Sequence, residues 1–352
     1  METAIPKHLV CPRSNQRRID DDFVPPYPAW TARGDEAMSA VVMGYFGVQW
    51  RGEAMRQRAL VGLQEIDNSL QGPNGPDHRD YAHYVDQAGY DNLIAIGYWL
   101  KPEAYETWSN SAEVADWWRD DTKCSGDLGF FREILLPTSD RFETLFSSPD
   151  EMEGVGIAMG GRSIDDIQEH SYWGSMRDRL PVSQTDKLEP RGYLVASEAA
   201  GSARRIGVAG HDNVAIIRLG QDWTDTKGHE RDLYLNSIEP IFSTGMDFLR
   251  DGGQPIGCYT NRYMMCVDVS GNPIEKSFGL SHWRSLGEME AWAEHHPTHI
   301  AIFGSFMQTV QELEFNLDLR LYHEVTVVGA SQQFYEYINC HAATGLLNAA
   351  AS

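Results

Sequence analysis

The feature that most constrains the fold of this chain is an internal repeat. Gly97-Tyr98-Trp99 is followed nine residues later by Trp108, and Ser281-His282-Trp283 is followed nine residues later by Trp292. Both copies carry a glutamate two residues before the second tryptophan. Matched spacing of this kind is the signature of a duplicated structural unit. The sequence therefore predicts two related α+β halves.

The repeat also suggests how the chain is organised. We expect an N-terminal extension (1–37), a first half (38–150), a connecting segment (151–204), a second half (205–332) and a C-terminal segment (333–352). Apolar runs bounded by turn residues alternate with helical patterns along these halves. The predicted strands of the first half are 41–48, 93–99, 130–136 and 142–146, and predicted helices cover Met55 to Leu70 and begin again at Glu103.

Two strand-helix-strand-strand-helix-strand halves packed sheet to sheet would enclose an apolar cavity wide enough for a flat cofactor. When the repeats are aligned, His299 of the second half stands opposite Ala115 of the first. Only the second half therefore has an imidazole at this position of the repeat. We expect one cofactor per chain.

Composition excludes several classes of partner. Lys and Arg number 29 against 51 Asp and Glu, and the net charge of −22 repels phosphate backbones and anionic lipid surfaces. We expect neither nucleic acid nor a membrane as partner. The first 36 residues lack the apolar core of a signal peptide and no 18-residue apolar run follows, so we expect a cytoplasmic protein.

The five cysteines are widely spaced and form no CxxC pair. An odd, scattered set supports neither a disulfide framework nor a zinc ribbon. We expect buried, reduced thiols, which also argues against a cofactor metal held by a thiolate.

His299 stands near a predicted helix start, where Pro297 is well tolerated. The residues that share its helical face are His299, Phe303, Phe306, Val310 and Leu313. An imidazole one turn from two phenylalanines can bind an iron while the rings wall a porphyrin. A histidine here is otherwise a helix cap or a hydrogen-bonded core residue.

His323 lies in an alternating segment, Leu319 to Val327, whose odd positions are apolar apart from the histidine. Alternation of this kind predicts a half-buried strand with His323 facing the core. A buried imidazole is either hydrogen-bonded within the core or a proton-transfer group.

Two arginines, Arg177 and Arg179, stand beside large rings in the connecting segment. Both are surface ion-pair partners, or one of them points into the cavity as a fixed positive charge. The glycines between Gly154 and Gly161 lack phosphate-binding spacing, and we interpret that segment as a turn-rich loop.

Six motifs together resemble the bacterial haem-dependent aldoxime dehydratases, including those called phenylacetaldoxime dehydratases. They are Tyr172-Trp173-Gly174-Ser175-Met176-Arg177-Asp178-Arg179, Gly210-His211-Asp212-Asn213, Gly220-Gln221-Asp222-Trp223, His282-Trp283-Arg284-Ser285, His296-Pro297-Thr298-His299 and Leu321-Tyr322-His323-Glu324. The likeness extends over nearly the whole chain, from Cys11-Pro12-Arg13 to Tyr337-Ile338-Asn339-Cys340-His341.

The resemblance implies an α+β fold of duplicated ferredoxin-like halves, of the dimeric α/β barrel type, enclosing haem b. It implies a homodimer with His299 as the iron ligand and with His323 as the catalytic histidine assisted by Arg179. The expected activity is that of a lyase in nitrile biosynthesis, converting R-CH=N-OH to a nitrile and water on ferrous iron. Protonated His323 would first deliver a proton to the departing hydroxyl and then, as neutral imidazole, remove the carbon-bound proton.

One position departs from the family pattern. The family resembled here carries a serine that bonds the substrate hydroxyl immediately after an arginine, whereas Arg218 is followed by Leu219 in this chain. A leucine neither donates nor accepts a hydrogen bond, so another group holds the hydroxyl or the orientation is weaker.

Three other classes of protein compete with this interpretation. A peroxidase or chlorite-dismutase-like enzyme also needs one histidine-ligated haem, a haem carrier needs no chemistry, and a structural duplicate of the fold needs no ligand. Nitrile formation from an added aldoxime distinguishes among the haem proteins.

Overall fold

The protein is built on one large antiparallel sheet with helices packed on each of its halves. The computed structural model describes residues 1–171, 175–199 and 202–350. No helix among these described residues is both long and apolar enough to cross a bilayer. The elements up to residue 179 are β1 (Val42–Trp50), α1 (Arg56–Leu70), β2 (His78–Val85), β3 (Asp91–Trp99), α2 (Pro102–Ser109), α3 (Ala112–Arg119), β4 (Gly129–Leu135), β5 (Phe142–Phe146), α4 (Val155–Met159) and α5 (Ser175–Arg179).

The elements that follow are β6 (Val195–Ala199), β7 (Ser202–Ala209), β8 (Val214–Asp222), α6 (Gly228–Leu233), α7 (Glu239–Gly252), β9 (Cys258–Val267), β10 (Pro273–Trp283), α8 (Leu286–His295), α9 (Pro297–Glu312), β11 (Arg320–Val328), β12 (Gln333–Ile338) and α10 (Leu347–Ala350). A short π-helical stretch, Tyr234–Ile238, joins α6 to α7.

The strand order repeats within the sheet. It reads β5-β11-β8-β10-β9-β2-β3-β1-β4-β12-β7-β6, and neighbouring strands run antiparallel. The four strands of each half are therefore ordered fourth, first, third, second, as β4-β1-β3-β2 and as β11-β8-β10-β9. The α+β class expected from the sequence is confirmed.

The tryptophan repeat occupies equivalent places in the two halves. Trp99 ends β3 and contacts Trp108 on α2, with ring centroids 5.1 Å apart and planes inclined by 43°. Trp283 ends β10 and contacts Trp292 on α8, at 5.8 Å and 41°. In each half one ring from the third strand and one from the next helix fasten that helix to the sheet.

The predicted strands and helices of the first half match β1, β3, β4, β5, α1 and α2 to within a few residues. The expectation of a plain loop at the 154–161 glycines was wrong. Gly154, at φ 54°, turns the chain into the five-residue helix α4, and Gly160, at φ 68°, ends it. Positive φ values suit glycine, which has no Cβ to clash.

The space between the two half-sheets is filled rather than hollow, which corrects the expected position of the cavity. Buried apolar side chains from both halves form one cluster there. Two buried ion pairs lie in the same layer, with Arg218 2.8 Å from Asp80 and Arg262 2.8 Å from Glu133. Such charges are costly to bury unless paired, so this layer is a packed core.

Strand β11 is buried on both faces, although its alternating pattern predicted one exposed face. Tyr322, Glu324 and Thr326 are each at most 5% exposed. These even positions face the first half, where Glu324 accepts a hydrogen bond from Tyr98 at 2.8 Å. Polar residues were therefore compatible with burial because the other half supplies their partners.

All five cysteines are free, as expected. Cys258 and Cys266 are buried, Cys124 and Cys340 are half-buried, and Cys11 is exposed, so burial was wrongly expected of the last.

Candidate active site

An apolar cavity lies inside the second half, between its sheet and its helices. Its floor comes from odd-numbered side chains of β8 and β11, and its opposite wall comes from α7, α8 and α9. The connecting segment and the N-terminal extension close one side with His170, Arg179 and Tyr27. Most of the remaining lining is aliphatic or aromatic.

His299 projects from the first turn of α9 into this cavity. Pro297 is the first residue of the helix, and the His296 side chain caps it by accepting from the Thr298 N–H at 3.3 Å. Burial lowers the pKa of His299 to about 4, while a hydrogen bond with the backbone of Ala293 acts in the opposite direction. A neutral imidazole whose N–H donates to a carbonyl presents its other nitrogen as a lone-pair donor.

Phe303 and Phe306 line the same cavity one and two turns further along α9. The Trp292 ring meets His299 edge-on, with centroids 4.7 Å apart and planes inclined by 65°. Val310 is buried on this helical face, whereas the helix ends at Glu312, before Leu313. The predicted face is thus realised over most of its length.

His323 projects from β11 into the cavity from the sheet side. Its direct neighbours across the sheet are Leu219 on β8 and Leu145 on β5, and both also line the cavity. Burial, which is the largest cause, and the positive charge of Arg179 together lower the pKa of His323 to about 3. The imidazole is therefore neutral at neutral pH.

Arg179 is the arginine that reaches the cavity. It is 4% exposed, its Nε and Nη2 donate to the Glu143 carboxylate at 2.6 and 2.9 Å, and its Nη1 donates to the Glu169 carbonyl at 2.9 Å. Arg177 instead pairs with Glu290 on α8, at 2.7 Å. Tyr172, Trp173 and Gly174 of the same motif lie outside the described residues.

Sequence reasoning missed two residues of this site. Glu143 is one acid among 51 acidic residues, and only its pairing with Arg179 distinguishes it. His170 is 6% exposed, and burial lowers its pKa to about 4. Its ring meets Tyr27 edge-on at 4.4 Å. No spacing in the sequence links these residues to His323.

Two histidines from the resembling motifs lie elsewhere. The His211 ring contacts the Tyr259 hydroxyl at 2.8 Å. His282 lies 1% exposed in the layer between the half-sheets, and neither ring nitrogen has a hydrogen-bond partner among the described residues. It belongs to the core and not to the cavity lining.

His282 makes the protein sensitive to acid. Burial lowers its pKa from the ordinary value near 6.5 to about 4, so between these values the unfolded chain binds more protons and stability falls as pH falls. From pH 8 to pH 5 this residue accounts for a loss of roughly 2 kcal/mol.

We therefore expect His282→Leu to reduce the loss of unfolding free energy between pH 8 and pH 5 by about that amount, measured by urea titration. His295→Gln is the matched control, because the His295 side chain is exposed. Equal pH dependence in wild type and His282→Leu would show that this imidazole finds a partner in solution.

Fold and cavity define an α+β protein with an apolar chamber that presents a neutral imidazole from the helix wall and polar groups from the opposite side. A family model described as haem-containing dehydratase matches residues 44–346. The chain belongs to this family of haem enzymes, and as a dehydratase it is a lyase.

Individual relatives agree with this assignment. The chain is 49% identical over 349 residues to an aliphatic aldoxime dehydratase of Pseudomonas chlororaphis, covering 99% of this chain and 98% of the relative. It is 32% identical over 337 residues to a phenylacetaldoxime dehydratase of a Bacillus species, strain OxB-1, covering 94% of each.

Two solved structures share the fold. An aldoxime dehydratase superimposes with a TM-score of 0.94 at 48% identity, covering 99% of this chain and 98% of its own. Another, in complex with butyraldoxime, also has a TM-score of 0.94, at 46% identity and with coverage of 99% and 96%. The family expected from the sequence motifs is confirmed.

The residues of the cavity fit a haem. Porphyrin is flat and largely apolar, and the lining between α9 and the sheet is made mainly of apolar side chains. Iron needs an unprotonated nitrogen, and burial keeps His299 in that form.

Proposed function

We propose that this chain removes water from aldoximes to leave nitriles, with aliphatic aldoximes as its substrates. The observation that carries the proposal is that His299 and His323 enter one apolar cavity from opposite walls, α9 and β11. The names of the relatives that are 47–49% identical support an aliphatic substrate, whereas the phenylacetaldoxime enzyme is 32% identical.

In this proposal His299 holds haem b, and Phe303 and Phe306 border the porphyrin. Bound ferrous haem would supply an iron for the oxime nitrogen and weaken the N–O bond. Duplicated ferredoxin-like halves, of which the second holds the haem between its sheet and its helices, are supported by the repeated strand order and by the matched tryptophan pairs. The half boundaries at 38–150 and 205–332 follow the same repeat.

His323 is the proton carrier. Formation of the nitrile removes one proton from carbon and releases hydroxide from nitrogen. Neutral His323 takes the carbon-bound proton, and the resulting imidazolium returns it to the departing hydroxyl, so that one water leaves and the imidazole is restored. The lowered pKa supports this order, base before acid, over the reverse order expected from the sequence.

Arg179 acts as a fixed charge beside His323. Its guanidinium is held by the Glu143 carboxylate and the Glu169 carbonyl, so it cannot turn away when charge changes nearby. A preorganised cation favours the neutral imidazole at rest and stabilises the departing hydroxide.

Nitrile formation by the haem-loaded protein tests the function. We expect butyronitrile from butyraldoxime under anaerobic conditions with dithionite, measured by gas chromatography, and less product from phenylacetaldoxime. Peroxide-dependent oxidation without nitrile would instead indicate a peroxidase, and haem transfer to apomyoglobin without either reaction would indicate a carrier.

Leu219 limits the rate in this proposal, because it leaves an apolar side chain beside His323 where the resembled family has a hydrogen-bonding one. A hydrogen bond to the departing hydroxyl is worth about 1 kcal/mol net, so we expect Leu219→Ser to raise nitrile turnover roughly fivefold at unchanged haem content.

Leu145→Ser is the matched control, because Leu145 lies beside the same histidine on the other neighbouring strand. Turnover should be measured over a series of aliphatic and aryl aldoximes. A loss in Leu219→Ser, or a change confined to one substrate size, would show that Leu219 shapes the pocket for the substrate tail.

We also propose a homodimer, implied by the resemblance, and a cytoplasmic location, expected from the sequence. Sedimentation analysis and cell fractionation test them.

A further inference from the structure

Three consecutive residues of α5 are fastened in three directions. Arg177 pairs with Glu290 of α8, and Arg179 pairs with Glu143 of β5. Between them, the Asp178 carboxylate is 1% exposed and accepts from the backbone N–H groups of Arg18 and Ile19, at 2.9 and 3.0 Å. Successive helical residues point about 100° apart, so the three contacts leave α5 little freedom to rotate.

A second acid repeats this arrangement. The Glu169 carboxylate is 2% exposed and accepts from the Thr3 hydroxyl at 2.9 Å and from the Ala4 N–H at 2.7 Å. Arg17 also lies 3.3 Å from it. Glu169 directly precedes His170, just as Asp178 directly precedes Arg179, and both followers line the cavity.

The N-terminal residues 1–33, which we name the N-terminal strap, also reach the cavity themselves. Tyr27 and Ala29 are part of its lining. Further along, the Ala32 N–H donates to Thr144 Oγ1 at 2.8 Å, and Trp30 forms a bridge with Phe146 on β5. The strap therefore lies over the side of the cavity that carries Arg179 and His170.

We propose that Asp178 and Glu169 are positioning residues, which bind the N-terminal strap and thereby hold Arg179 and His170 in the cavity wall. Buried carboxylates are costly unless their oxygens accept hydrogen bonds, and here the strap supplies those donors. Arg179 depends on this arrangement twice, through its neighbour Asp178 and through the Glu169 carbonyl. The role in catalysis rests on the proposed dehydratase function.

The test compares Asp178→Asn with Asp22→Asn, a strap carboxylate that is exposed. Because the amide removes the charge that binds two N–H groups, we expect nitrile turnover to fall roughly tenfold to a hundredfold in Asp178→Asn while KM changes little. Haem content should match wild type, since His299 lies on α9.

A second readout does not depend on the activity. The carbonyl stretching band of the ferrous haem–CO complex responds to polar groups beside the bound gas. We expect this band to shift or broaden in Asp178→Asn and to stay unchanged in Asp22→Asn. If wild type made no nitrile, the proposed function would fail, while the band would still test the positioning role.

Thr3→Val is a milder variant in case Asp178→Asn does not fold, because it leaves both carboxylates in place and removes one hydroxyl, which donates to Glu169 and accepts from the Ile5 N–H. It should change the CO band in the same direction by a smaller amount. Wild-type turnover and a wild-type CO band in Asp178→Asn, or in Thr3→Val if the first variant is unfolded, would overturn the proposal. Equal losses in Asp22→Asn would overturn it as well.

Discussion

His299→Ala is expected to remove haem from the purified protein. The cavity walls contribute apolar contact, but the neutral imidazole on α9 is the ligand we propose for the iron, and alanine has no donor atom. Without that bond the Soret absorption of the purified variant should be lost, and added imidazole should restore part of it by entering the vacated space. The measurement is the absorption spectrum before and after dithionite.

His296→Gln is the matched control for this experiment. His296 precedes the same helix, contacts Thr298 Oγ1 at 2.8 Å and is not among the residues that line the cavity in the described part of the chain. The control should keep its haem and lose about 1 kcal/mol of stability from the weakened cap. Full haem content and an unchanged ferrous spectrum in His299→Ala would mean that another residue holds the iron.

The second large effect is expected at His323. His323→Ala should retain haem, because this residue enters from β11 on the wall opposite His299, and its nitrile turnover should fall by about 10²–10⁴-fold. The turnover of His323→Asn should fall comparably, since an amide can form hydrogen bonds but cannot take up and release a proton near neutral pH. Steady-state rates with butyraldoxime, compared at equal haem content, measure both variants.

Two results would contradict the role of His323. Loss of haem in His323→Ala would mean that the roles of the two histidines are exchanged. Activity of either variant within a few-fold of wild type would mean that another group carries the proton. His170, which lines the same cavity, would then be the first residue to test.

Glu143 and Arg179 form a buried ion pair beside the neutral His323. Burial raises the pKa of Glu143, and the adjacent guanidinium opposes that rise because it stabilises the charged carboxylate. The two groups form a salt bridge that is shielded from water. Breaking one member of a buried pair leaves the other uncompensated, which costs about 3–5 kcal/mol in typical cases. The pair is therefore a rigid part of the wall, and this explains why a positive charge can lie beside a neutral histidine.

The sequence alone determined the features that depend on local periodicity and on repeats. The 3.6-residue pattern located α1 and the face of α9 that carries His299, and the two-residue alternation turned His323 toward the cavity. Both patterns depend only on the geometry of a single helix or strand. The tryptophan spacing likewise indicated a repeat, and the contacts Trp99–Trp108 and Trp283–Trp292 match each other, because each pair closes within ten residues.

Only the tertiary structure decided where the cavity lies and which polar groups surround it. Alternation could not show that β11 is buried on both faces, because the partner of Glu324 is Tyr98, which lies 226 residues earlier in the chain. The choice of Arg179 over Arg177 depended on Glu143, 36 residues away on another strand. Pairing over such distances follows from the path of the chain and from side-chain packing, and no local pattern encodes it.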